Sequence, residues 1–385
     1  MKTIRWFGAA LAPFILFLLN SCSKDRMQKL PTGTGAMDSG LYVLAQGAYD
    51  TGQIGPTQIP YISSLSFYRF DSKTVVADQY EAANGTGAGE GGNDLGIYGS
   101  KMYIVLFQSN AVRIVDAHTS KLLKTDSFLN PGIGIRPPIY SDQRLPLRVY
   151  FFNGKALVSC ADGTVAVVDT SSLAVTRYVS VGGYGSYPCG MAASNGKLYV
   201  AISGGGLNDS VGIFNMSNWT EIGKIQVFPY PTSVAADSAG HVYVLSAYDA
   251  AFNPNQNVYP NSPTPGGIVV INDQSDQIES QTVVELAFPQ PIAISGNRVY
   301  YVTVSNKVAV LDAATRTPIT DNFITDGTTV SNASAICVNP ATGEVFLASA
   351  QPLQPGRVFA FDKAGRLEYS FVTGVNPIRL ALLGQ

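Results

Sequence analysis

Three charged residues recur at one position of a repeated segment, and they are the groups best suited to hold a polar ligand. Gly92-Asn93-Asp94-Leu95, Pro146-Leu147-Arg148-Val149 and Pro377-Ile378-Arg379-Leu380 align so that Asp94, Arg148 and Arg379 coincide. Gly190, Ser233, Ala293 and Ala335 take that position in four further copies. An Arg–Asp–Arg arc has two uses: a structural ion-pair triad that ties neighbouring segments together, or a polar anchor for a ligand. Arg136 and Arg144 precede the Arg148 segment and reinforce either use. A second set is aromatic: Tyr49, Tyr61, Tyr140, Tyr184, Tyr187, Tyr230, Tyr248, Phe252 and Tyr259 lie in stretches rich in Asn, Gln, Gly and Pro. Tyrosine joins stiff apolar area to a hydroxyl, and amides both donate and accept. Such a set suits a large, uncharged, amide-rich or sugar-like ligand better than a phosphate; it equally serves to pack loops onto a scaffold.

Catalytic and metal-binding patterns are sparse. The chain has two histidines, His118 and His241, each beside a short turn remote from the aromatic loops. A histidine base, a triad or a His-ligated metal is therefore not expected among those loops. Gly85-Thr-Gly-Ala-Gly-Glu-Gly-Gly92 has no Gly-Lys-Ser/Thr ending and no following helix pattern, so it is read as an inter-segment loop. Asp94 and Glu90 make too small an acidic set for a Ca²⁺ site. Cys160, Cys189 and Cys337 have no CxxC spacing and read as small buried apolar groups. The expectation is a non-enzymatic protein without a cofactor or resident metal.

The elements that position these residues follow from a repeat. An apolar tetrapeptide recurs seven times, as in Leu41-Tyr42-Val43-Leu44, Leu198-Tyr199-Val200-Ala201 and Val345-Phe346-Leu347-Ala348. A second alternating strand follows each, closing on Asp71, Asp116, Asp169, Asn215, Asn272, Asp312 and Asp362. The spacing of roughly 40 to 57 residues is that of a propeller blade. Proline often opens the strand before each tetrapeptide, which suits an innermost edge because proline cannot donate to a ladder. Only 14% of residues are charged, 46% are hydrophobic, and 38 Gly and 22 Pro supply turns. The net charge of −2 and the lack of a basic stripe argue against a nucleic-acid partner.

The predicted fold is all-β: a seven-bladed β-propeller of four-stranded blades over residues 40–385. Its first blade lacks an inner strand, and the last segment, Pro377 to Leu383, has no blade of its own. Pairing the two closes the ring and removes an exposed edge. The turns between the first and second and between the third and fourth strands are tight, whereas every long insertion falls in the other two sets. One face is plain and the other is built up, as on a scaffold that carries a binding site in its loops.

Residues 1–21 read as a signal peptide, with Lys2 and Arg5 before an apolar run too short for a typical span. Leu19-Asn20-Ser21-Cys22 resembles a bacterial lipobox, which implies lipidation of Cys22 and a polar tether over 22–39. Ser23-Lys24-Asp25 resembles part of the surface-export signal of Bacteroidetes lipoproteins, which implies an outer-membrane, surface-exposed location.

The apolar-Tyr-Val and Asp-ending phrases together resemble the YncE-like seven-bladed propellers over nearly all of residues 40–385. Leu41-Tyr-Val-Leu-Ala-Gln-Gly47 with its inserted loop is similar to a Bacteroidetes lipoprotein branch containing the BtuG-type proteins. That resemblance implies a monomeric surface lipoprotein that captures a corrinoid, such as vitamin B12, and passes it to a TonB-dependent outer-membrane transporter. A glycan or chelate is an alternative ligand. A lactonase- or lyase-like propeller enzyme and a protein-interaction scaffold are the alternative classes.

Overall fold

Alternation makes the strands and also decides what each one buries. In His241–Ser246, Val242 and Val244 pack with the preceding blade, while Tyr243 and Leu245 pack with the following one. The same division holds in every blade. Apolar clusters result at all seven junctions between neighbouring blades, among the described residues. The core is thus a ring of inter-blade seams.

The computed structural model describes residues 37–48, 62–129, 142–183, 185–204, 208–247, 266–286 and 291–384. It contains seven four-stranded antiparallel sheets. The innermost strands of blades 2 to 7 are Gly92–Tyr98, Pro146–Phe152, Pro188–Ser194, Pro231–Ala236, Ile292–Ser295 and Ala333–Val338. Blade 1 takes its innermost strand from the far end of the chain: Pro377–Leu383 pairs antiparallel with Gly40–Ala45, Leu382 opposite Leu41 and Leu380 opposite Val43. The expected closure is present.

One element was not expected. A six-residue helix, Gln79–Asn84, follows the short outer strand of blade 1. Asp78 caps its start by accepting from the Glu81 N–H, and Gly85 ends it in the left-handed conformation at φ 72°. The buried Tyr80 of this helix accepts a hydrogen bond from Arg113 of blade 2 at 2.7 Å, so tertiary contact stabilises a helix too short to persist alone.

The repeated Tyr and Asp have separate tasks on the plain face. Tyr42 donates to the Ala117 carbonyl at 2.7 Å, and Tyr243 donates to the Ala313 carbonyl at 3.1 Å. Each acceptor directly follows the Asp that closes the third strand of the next blade, so these tyrosines bolt one blade to the turn of its neighbour. The Asp itself builds that turn. Asp116 accepts from the N–H groups of His118 and Thr119, Asp169 from Ser171 and Ser172, and Asp312 from Thr315. Asn215 and Asn272 do the same. Backbone donation, from Ser172 to Asp169 and from Thr315 to Asp312, holds both carboxyls below their usual range.

Two predictions follow from this face. Tyr243→Phe should lower stability by about 1 kcal/mol through a lost buried hydrogen bond. Tyr103→Phe should be neutral or stabilising, because the buried Tyr103 hydroxyl has no partner among the described residues; denaturant titration of both variants checks the contrast. A carboxyl with a depressed folded pKa contributes stability above its unfolded pKa and loses it as pH falls through the folded value. Asp169→Asn and Asp312→Asn, which keep the turn acceptor but not its charge, should therefore lower Tm slightly at neutral pH and flatten its decline below about pH 5.

Candidate functional site

The mouth of the central shaft is built from a backbone feature repeated in six blades. The residue that enters each innermost strand is left-handed: Gly91 (φ 67°), Leu145 (57°), Tyr187 (43°), Tyr230 (57°), Asn332 (50°) and Asn376 (58°). The carbonyl of each accepts from the N–H just past the end of the second strand of the same blade, from Phe107, Ala161, Ser203, Ala247, Ala350 and Gln46 respectively. For a non-glycine residue this conformation costs roughly 1–2 kcal/mol. Left-handed tyrosines are strained as well as pinned, and strain of this kind gathers at binding sites.

One residue further into the strand the ladder slips. Register shifts separate Gly92 from Asp94, Pro146 from Arg148, Pro231 from Ser233 and Ala333 from Ala335. The slip aligns Asp94, Arg148 and Arg379 opposite Val105, Ser159 and Leu44 on three consecutive blades. The arc read from the sequence is a real neighbourhood. One member of the wider alignment is corrected: Ile292 pairs with Tyr301 as Val149 pairs with Val158, so Pro291 takes the arc level in blade 6 and Ala293 lies deeper. The proline of that blade stands at the third position of the entry rather than the first.

Within the arc the three charges are not equivalent. Arg379 Nε lies 2.6 Å from Asp94 Oδ1, and Asp94 Oδ2 accepts from the Val149 N–H at 2.8 Å. Asp94 is 7% exposed. Arg148 instead donates from Nη1 to the carbonyls of Asn93 at 2.8 Å and Leu147 at 3.2 Å. Burial, then the nearby Arg379 charge, lowers the Arg148 pKa to about 10, with Asp94 opposing. It remains cationic at neutral pH.

Three cavities meet at Arg148. The largest, about 400 Å³, is walled by amides and the arc: Gln46, Asn93, Asn306, Asn332, Asn376 and Arg379 contribute. A second of about 260 Å³ lies across the mouth, lined by Phe107, Tyr187, Cys189, Ser203 and Tyr230. The third, about 280 Å³, runs down the shaft past Asp94, Gly190, Ser233, Pro291 and Ala335. Amides line one side of Arg148 and aromatic rings the other.

Of the residues singled out in the sequence, Asp94, Arg148, Arg379, Tyr187 and Tyr230 are brought together here. Arg144 is not. It is paired with the buried Asp162 at 2.6 Å and its guanidinium lies 3.7 Å from the Tyr178 ring centroid, a packed cation within blade 3. Tyr49, Tyr61, Arg136, Tyr140, Tyr184, Tyr248, Phe252, Tyr259 and Cys22 lie outside the described residues. His118 and His241 sit on the plain face, bonded through Nδ1 to the Met37 carbonyl and to Asp237. Cys160 is buried and Cys189 and Cys337 are half-buried; all three are free thiols whose pKa burial raises. Gln46, Asn306, Asn332 and Asn376 were missed. The signal available was a recurrent Asn or Gln beside the strand ends.

No protein-family model matches the sequence, and no curated protein matches it. Solved structures do share the fold. A quinoprotein alcohol dehydrogenase-like protein from Bacteroides thetaiotaomicron superposes with a TM-score of 0.62 at 17% identity, covering 90% of this chain and 79% of that one. Hydrazine synthase of Kuenenia stuttgartiensis superposes with a TM-score of 0.57 at 14% identity, covering 75% and 89% respectively. At these identities the likeness is one of fold.

The arc predicts an energetic coupling. Asp94→Ala should cost about 2 kcal/mol by depriving the half-buried Arg379 guanidinium of its carboxylate partner. The Asp94→Ala/Arg379→Met double variant should be more stable than the sum of the single losses, which a double-mutant cycle measures.

Proposed function

We propose that this chain is a capture protein of the bacterial envelope, which binds a large polar ligand at the mouth of its propeller shaft and delivers it to an outer-membrane transporter. One observation carries the reading: cavities walled by amides and by tyrosines converge on one cation at the loop-rich face. The walls are attached to rigid strands, and their backbone is fixed before any ligand arrives, which lowers the ordering cost of binding. Tyr187 and Tyr230 offer flat apolar area, while Asn93, Asn332 and Gln46 offer donors and acceptors. This chemistry suits a corrinoid, whose rim of amides surrounds a broad ring system; a glycan or chelate fits the amide wall alone. The resemblance to YncE-like propellers of the BtuG type, and the lipobox ending at Cys22, support the envelope location and the transporter as partner.

The enzyme reading is weaker on a specific ground. Among the described residues Asp94 is the one acid lining the cavities at Arg148, and both its oxygens are engaged, by Arg379 and by the Val149 N–H. A carboxylate so held is a poor general base.

Asn already occupies the left-handed position in two blades. Tyr187→Asn and Tyr230→Asn should therefore preserve Tm, since Asn tolerates that conformation. Each should weaken cobalamin binding by about tenfold, the worth of one buried aromatic contact. Calorimetric titration with cobalamin checks this, and unchanged affinity in both variants contradicts the reading.

A further inference from the structure

We propose that Arg148 is the seat of an oxyanion subsite, which takes a single phosphate or carboxylate group of the ligand captured at the mouth; the proposal rests on the capture reading above. Charge balance is the starting point. The arc level holds two guanidiniums and one carboxylate. Arg379 and the Val149 N–H occupy both oxygens of that carboxylate. The acceptors that Arg148 finds among the described residues are the carbonyls of Asn93 and Leu147, which are dipoles and not counter-charges. No carboxylate of the described residues forms a salt bridge with it. Among the described residues the arc level therefore carries one positive charge in excess, in a setting where burial makes each charge count for more.

Space and access agree with charge. Arg148 lines all three cavities, and Arg379 lines two of them. The remaining positions of the level are Gly190, Ser233, Pro291 and Ala335, small and uncharged, so an incoming group meets no competing anion across the shaft. Gly190 is required for packing: a Cβ there would lie 2.6 Å from the Val234 nitrogen. A guanidinium donates through a planar fork that matches two oxygens of a phosphate or carboxylate. Asn332 lines the same cavity and can donate to a third oxygen, whereas the Asn93 amide already donates to the Leu147 carbonyl at 2.9 Å. The tyrosine-rich loops taken alone argue for an uncharged ligand; the shaft adds one anionic handle to an otherwise neutral, amide-rich molecule.

The test is the thermal stability of the chain against rising inorganic phosphate, and separately acetate, with ionic strength matched by chloride. The wild type should gain Tm in a saturable way, since binding to the folded state alone stabilises it. Arg148→Gln should abolish the gain, and Arg148→Lys should keep it with several-fold weaker affinity. Asp94→Asn removes the one competing anion, so it should tighten the response several-fold, a direction that a purely structural arc would not give. A response to phosphate alone assigns a phosphate group, and a response to acetate alone assigns a carboxylate. No response to either overturns the proposal, as does an Arg148→Gln variant that responds like wild type. If Arg148→Gln does not fold, calorimetry of Asp94→Asn against wild type decides, and equal phosphate affinity overturns it. A phosphate response without cobalamin binding defeats only the corrinoid reading; cobalamin binding without an anion response defeats only the oxyanion subsite.

Discussion

Everything in this molecule depends on the pairing of Pro377–Leu383 with Gly40–Ala45. A propeller buries its apolar surface between blades, so an open ring would leave two blade faces in water. The closing strand supplies both faces at once. Leu380 and Leu382 pack against blade 7, while Ala381 and Leu383 pack against blade 2. The same strand brings Arg379 to Asp94, residues 285 positions apart in the chain. Fold and site are therefore completed by one event: before the ring closes, Asp94 lacks its Arg379 partner and the amide-walled cavity lacks a wall.

The two faces then divide the work. On the plain face, short turns capped by Asp or Asn receive hydroxyls from the preceding blade, and the result is a rigid rim. The other face carries the length variation and the left-handed entries. The strain at Tyr187 and Tyr230 is tolerated because the inter-blade seams over-determine the backbone there. Side chains aimed by such a frame need little ordering when a ligand arrives, which is what a capture protein requires.

Much of this was legible in the sequence because its signals are local and repeated. Alternating apolar residues, the blade-length period and the proline-opened segments are enough for seven blades and for the closure, and the alignment of Asp94, Arg148 and Arg379 follows from them. What was not legible depends on contacts between distant segments. The Gln79–Asn84 helix exists through Tyr80 and its partner Arg113. Leu145, Tyr187 and Tyr230 carry no intrinsic signal for a left-handed backbone, unlike Gly91, Asn332 and Asn376. Arg144 reads as a loop cation near the site, yet Asp162, 18 residues on, takes it into the body of blade 3. Pro291 stands two residues from its expected place because proline marks the start of a strand but not the residue at which its ladder begins.

Native-state hydrogen exchange of the closing strands addresses the coupling of ring and site most directly. Closure as the governing constraint predicts that the amides of Gly40–Ala45 exchange as slowly as those of His241–Ser246, and the ladder-bonded amides of Leu380–Leu383 as slowly as those of the innermost strand Pro231–Ala236, through one shared global opening. Fast exchange at the closing strands, with the other blades still protected, would mean a stable open ring. Arg379 and the shaft mouth would then be assembled independently of the fold, which contradicts closure as the common origin of ring and site.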